Sequence, residues 1–165
     1  MTKNPGNSSN ILFIGIGNRY RSDDGAGLLI ADKIEELIST EQAVISKQNG
    51  EATNLIESWY GYDKVIIADA TYSGGIDAGT IRRFDIKEQT LSADILNCST
   101  HSFSLADAVE LARALNKLPQ TLIVYGIEGM NFSYGKKLSQ NVQKNINKAA
   151  GIIIKEINNL GEQNA

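Results

Sequence analysis

The residues of this 165-residue chain best equipped for chemistry are a few carboxylates and its one imidazole. Asp23 and Asp24 stand together in the glycine-rich stretch GIGNRYRSDDGAG, Asp69 closes the apolar run VIIA, and His101 lies in the polar segment Ser99-Thr100-His101-Ser102. One imidazole with two carboxylates is a sensible oxygen and nitrogen set for a borderline divalent ion such as zinc, nickel or iron, with coordination positions left open. The same groups also make an acid/base set. Each has a plainer reading beside the chemical one. An Asp before a helix is commonly an N-cap, and a histidine in a loop is commonly a solvated side chain. Asp69 is harder to account for in that way, because a buried apolar run seldom stops on a carboxylate that has no partner.

The elements that must position these groups follow from the hydrophobic pattern. Ile11-Leu12-Phe13-Ile14, Val65-Ile66-Ile67-Ala68 and Thr121 to Tyr125 are short, continuous apolar runs, the pattern of central strands buried on both faces. The first is closed by Gly15, the second ends in Asp69 and the third ends at Gly126. Ala43-Val44-Ile45 is a further short strand. Thr80 to Ile86 alternates imperfectly and suits an edge or antiparallel strand. Between the strands, Gly27, Ile30, Ala31, Ile34, Leu37 and Ile38 recur at helical spacing, with Ser22 or Asp23 as the cap. Glu51 to Trp59 is a second helix. Ser104 opens a third through a capping-box spacing to Asp107, with Leu105, Ala108, Ala112 and Leu115 as its apolar stripe. Ser139 caps a long last helix whose Val142, Ile146, Ala149, Ile153, Ile157 and Leu160 keep the repeat.

Strands alternating with helices predict an α/β fold, a sheet with helices on both faces. In such sheets ligands gather beyond the carboxyl ends of the strands, which is where Asp23, Asp24, Asp69 and His101 fall. The length and absence of low-complexity tracts predict a single domain over residues 11–160 after a flexible N-terminal segment, residues 1–10. Sixteen Lys and Arg against 19 Asp and Glu, with no local basic run, give no footprint for nucleic acid. With no apolar run near the length of a membrane span and no signal-like start, a cytoplasmic protein without a membrane partner is expected. The lone Cys98 excludes an internal disulfide or thiolate cluster and fits a reducing compartment. A dinucleotide fingerprint fails because Tyr20 stands where its third glycine belongs. No phosphate-binding P-loop, HExxH zinc motif or GxSxG elbow is present.

Four blocks then carry a resemblance. Ile14-Gly15-Ile16-Gly17-Asn18 leading to Asp23-Asp24-Gly25-Ala26-Gly27, Ile67-Ala68-Asp69-Ala70, Thr100-His101-Ser102-Phe103-Ser104-Leu105-Ala106, and Gly126-Ile127-Glu128 occur in order and at sensible spacing. Together they resemble the hydrogenase maturation endopeptidases from about residue 11 to residue 150. The resemblance implies a three-layer α/β/α domain on a five-stranded, mostly parallel mixed sheet with one antiparallel strand. It implies an endopeptidase that removes the C-terminal extension of the large-subunit precursor of a nickel-iron hydrogenase after nickel has been loaded. Carried over residue by residue, the nickel ligands are Asp24, Asp69 and His101, and Asp23 keeps a capping role. The first ligand is often Glu in the family, so Asp24 is one methylene shorter.

On this reading nickel arrives with the substrate and no tightly bound cofactor of the enzyme's own is expected. The catalytic, water-activating group stays unassigned. Many relatives carry Asp-Gly after the second strand, where this chain has Gln48-Asn49-Gly50-Glu51, which leaves the roles of Gln48 and Glu51 open. The competing readings are a stand-alone metallohydrolase with its own metal and a non-catalytic metal-centre chaperone. Covering the sheet accounts for the amphipathic helices, so a monomer is expected.

Overall fold

A computed structural model describes residues 10–88 and 105–163. His101, Cys98 and the helix-opening Ser104 lie outside the described residues. The strands are β1 (Ile11–Ile16), β2 (Val44–Gln48), β3 (Lys64–Thr71), β4 (Ile81–Asp85) and β5 (Thr121–Glu128). The helices are α1 (Ala26–Leu37), α2 (Ala52–Trp59), α3 (Leu105–Ala114) and α4 (Gln140–Glu162). The sheet order is β2-β1-β3-β5-β4, with β4 antiparallel to β5 and the other neighbours parallel.

Burial explains that order. Every residue of β1 and β3 is buried, as a strand covered on both faces requires. The edge strands β2 and β4 are only partly covered, and Phe84 is the one buried residue of β4. Phe13, Ile66 and Ile123 pack with Ile30, Ile34, Val142 and Ile153 in a core under α1 and α4. On the other face, Ile14, Ile67 and Val124 pack with Leu55, Trp59, Val109 and Ala112 under α2 and α3. This is the three-layer α/β/α arrangement that the resemblance implies, with the antiparallel strand at the edge.

Several local readings change. The second strand starts at Val44 and runs on to Gln48, β1 continues through Gly15 to Ile16, and β5 passes Gly126 to reach Glu128. Strand β3 does not stop at Asp69, because Ala70 pairs with Ile127 and Thr71 with Glu128 before the ladder ends. Leu37 and Leu115 sit at the ends of their helices and are exposed rather than part of the core. The six apolar positions expected along α4 are all buried.

Candidate active site

The site is built where β1 gives way to α1. Gly15 lies against the backbone of Gly27, and Gly27 in turn lies against Ile16 and Ala68, so close that a Cβ on either glycine would overlap a carbonyl oxygen. These two glycines let the start of α1 rest directly on the carboxyl ends of β1 and β3. The turn before the helix, Ser22–Gly25, is a short 3-10 segment, and α1 begins at Ala26 with Gly25 at its N-cap. Ser22 takes a positive φ of 53°, held by its amide on Gly135 O (2.8 Å) and its hydroxyl on Ser133 O (2.9 Å).

A 3-10 turn has three residues per revolution, so neighbouring side chains point about 120° apart. Asp23 and Asp24 therefore serve different partners. Neither Ser22 nor Asp23 caps α1, since that helix start has no side-chain cap. Asp23 instead ties down the segment after β5. Its Oδ2 accepts hydrogen bonds from the amides of Met130 (2.9 Å) and Asn131 (3.0 Å) and from the Ser139 hydroxyl (2.6 Å), while Oδ1 accepts from the Ser139 amide (2.7 Å). Burial pushes this carboxyl up, but those four bonds together hold it below its ordinary value. Ser139 occupies the N-cap position of α4, yet its hydroxyl is given to Asp23 and not to its own helix.

Asp24 is buried, and its charge bears on Asp69. Asp69 follows Ile67 at the strand period of two, so it stands on the α2/α3 face of the sheet. Its Oδ1 is buried and accepts no hydrogen bond from any described residue. Burial pushes the Asp69 carboxyl well above the usual range, Asp24 adds to the rise, and the Ala70 amide opposes it. Two buried carboxyl groups acting on one another are oxygen donors that a cation would stabilise. Among the described residues they form a pair, with no third His, Cys, Asp or Glu beside them.

Residues 30–156 match the family described as HycI, hydrogenase maturation protease. The chain belongs to the hydrogenase maturation protease family. It is 28% identical over 155 residues, 89% of this chain and 96% of the other, to a Methanocaldococcus jannaschii protein provisionally named a hydrogenase maturation protease. Its fold is similar to the hydrogenase maturating endopeptidase HybD from E. coli, at 22% identity and a TM-score of 0.71 over 92% of this chain and 93% of that one. It is also similar to the solution structure of an Escherichia coli endopeptidase, at 25% identity and a TM-score of 0.76 over 87% and 88%. The protein is accordingly a hydrolase of hydrogenase maturation. No described helix is long and apolar enough to cross a membrane.

In this maturation protease the structure brings Asp24 and Asp69 together, and His101 falls outside the described residues. Glu51 is exposed, and its carboxylate accepts from the Asn54 side-chain amide in its own helix turn (3.0 Å). Gln48 lines a groove of about 570 Å³ between Gly17, Asn49 and Ser58. Its amide nitrogen donates to Ser46 and Ser58, and its Oε1 has no partner among the described residues.

Sequence reasoning gave Glu128 no role, although its block helped carry the resemblance. Its buried carboxylate accepts from the Thr71 hydroxyl (2.9 Å), the Ser73 amide (2.6 Å) and the Ser73 hydroxyl (2.8 Å), and pairs with Arg82 at 3.3 Å. It locks the end of β3, two residues beyond Asp69, to β4 and β5. The signal available in the sequence was a charged residue directly after the buried run of β5.

Proposed function

We propose that this protease cleaves a C-terminal extension from the nickel-loaded precursor of a nickel-iron hydrogenase large subunit, and that it reads the nickel through Asp24, Asp69 and His101. The observation that carries the reading is the buried Asp24 and Asp69 pair, whose second member has an oxygen with no described partner. Carboxylate oxygens with one imidazole suit a borderline divalent ion and leave positions for the ligands the precursor already supplies. Binding of the ion would replace the repulsion between the two carboxylates with attraction.

Chain connectivity supports the third ligand. Helix α3 leads back along the sheet into β5, and its far end is fixed by Trp59 donating to Lys117 O. Its first residue, Leu105, thus lies toward the carboxyl ends of the strands. Three residues lie between His101 and Leu105 in the chain, a reach of at most about 14 Å. Held jointly by the two proteins, the ion would orient the scissile peptide and would supply Lewis-acid chemistry for the attack of water on its carbonyl. Cleavage is thereby made conditional on metal loading.

The test incubates the protein with nickel-loaded and nickel-free precursor and reads the large subunit by mass spectrometry. Loss of the C-terminal fragment from the loaded form alone is expected. Asp69→Asn and His101→Ala should fold and leave the loaded precursor intact. Equal cleavage of both forms, or His101→Ala working at the wild-type rate, would overturn the assignment.

A further inference from the structure

The carboxylate pair is sunk, but the loops around it are not. Tyr20 after β1 is 62% exposed, Tyr72 after β3 is 53% exposed, and Met130 and Tyr134 after β5 are 65% and 88% exposed. Each of the three central parallel strands thus ends in a loop that holds a large apolar side chain out to solvent, and β3 and β5 run side by side into two of them. A soluble surface rarely clusters such side chains without a partner. The cluster is also held in shape. The Tyr72 ring packs edge-on against Phe132 with centroids 5.9 Å apart, Lys136 sits over the Tyr20 ring at 5.3 Å, and Arg21 over the Tyr134 ring at 5.8 Å.

Charge distinguishes this rim from the rest of the chain. Two of its three segments, 17–22 and 129–138, contain Arg19, Arg21, Lys136 and Lys137 and no Asp or Glu, while the loop after Tyr72 holds Asp77, in a protein of net charge −3. Only Arg19 of the four is in an ion pair among the described residues, with Asp32 at 2.7 Å. A pocket of about 220 Å³ opens between Tyr20, Leu29 and Lys136, large enough for one side chain of a partner. Aromatic anchors and a receiving pocket are the make-up of the centre of a protein interface, and charged side chains belong to its periphery.

We propose that this aromatic, cationic rim is the docking surface for the folded body of the precursor, and that it meets an acidic face surrounding the precursor's metal centre. The inference rests on the functional reading above. A metal held in a folded protein reaches Asp24 and Asp69 only if the surrounding surface of that protein closes over Tyr20, Tyr72, Met130 and Tyr134. The rim therefore selects the whole precursor, and affinity resides there rather than in the few residues around the cut.

The test measures the dissociation constant of nickel-loaded precursor for the full-length protein, with cleavage followed alongside. The pair Met130→Ser with Tyr134→Ser should weaken binding at least tenfold. Lys136→Glu with Lys137→Glu should weaken it to a similar degree and flatten its dependence on salt. The pair Leu111→Ser with Leu115→Ser, which removes exposed apolar side chains from α3 away from the rim, should bind as the wild type does. Wild-type affinity in both rim variants while the wild type still cuts the precursor would overturn the docking proposal alone. A wild-type protein that neither binds nor cuts loaded precursor would overturn the functional reading and this proposal with it.

Discussion

Asp69 is buried in β3, two residues before the strand ends, with the Asp24 charge bearing on it and with no described donor for its Oδ1. That relationship costs stability in the free protein and is the reason the pair suits a cation.

Replacing Asp69 by Asn keeps the shape and removes the like charge. Asp69→Asn is expected to stabilise the fold by about 1–2 kcal/mol near neutral pH while abolishing cleavage. A role confined to structure gives the opposite result, lower stability and unchanged activity. Chemical denaturation together with a cleavage assay distinguishes them.

The sign of the pH dependence follows from the direction of the shift. The folded-state value of Asp69 is raised, so its contribution to stability is fully present below the ordinary carboxylate value of 3.8 and is lost as pH rises through the folded value. The advantage of Asp69→Asn over the wild type should therefore be largest at neutral pH and shrink toward zero in acid. Denaturation midpoints across that range provide the check.

Asp23 shifts the other way. Its contribution is present above its ordinary value and lost as pH falls below it toward the lower folded-state value. Asp23→Ala strands the amides of Met130, Asn131 and Ser139 and should cost about 2–4 kcal/mol at neutral pH. The deficit should narrow in acid, in contrast to the behaviour of Asp69→Asn.

Two glycines in helices should respond in opposite senses. Ala has an intrinsic helix advantage of about 1 kcal/mol over Gly. At Gly27 a Cβ meets the backbone oxygens of Ile16 and Ala68, which cannot rotate away, so overpacking wins and Gly27→Ala should lose about 2 kcal/mol and most activity. At Gly151 in α4 a Cβ meets nothing within 4 Å, so Gly151→Ala should gain about 0.5–1 kcal/mol and leave cleavage unchanged. Thermal melts and the mass-spectrometric assay read both.

Glu128→Gln tests the lock on β3. It removes the charge that faces Arg82 and weakens the hold on Thr71 and Ser73, at a cost of about 2 kcal/mol because Arg82 is partly solvated. Hydrogen exchange at Ala70 to Ser73 should rise more than at the start of β3.

The apolar runs of β1, β3 and β5 and the helical stripe of α4 were legible because burial on both faces or on one stripe leaves a period in the residues themselves. The candidate site was legible in part. Asp69 stands out as a carboxylate that closes an apolar run, Asp24 through its place in the first of the four blocks that point to the family. Local patterns do not say which way a side chain turns. By residue type Asp23 and Asp24 are adjacent equals that the resemblance alone tells apart, and the 3-10 turn is what sends one to Ser139 and the other toward β3. Likewise Gly126 looked like a strand end until pairing with β3 carried β5 on to Glu128. The residue types and their order determined the fold and the charge pair, since those depend on burial and chain periodicity. Contacts between Asp23 and Ser139, between Glu128 and Thr71, and among the rim aromatics join residues up to 116 positions apart, and were decided by packing alone.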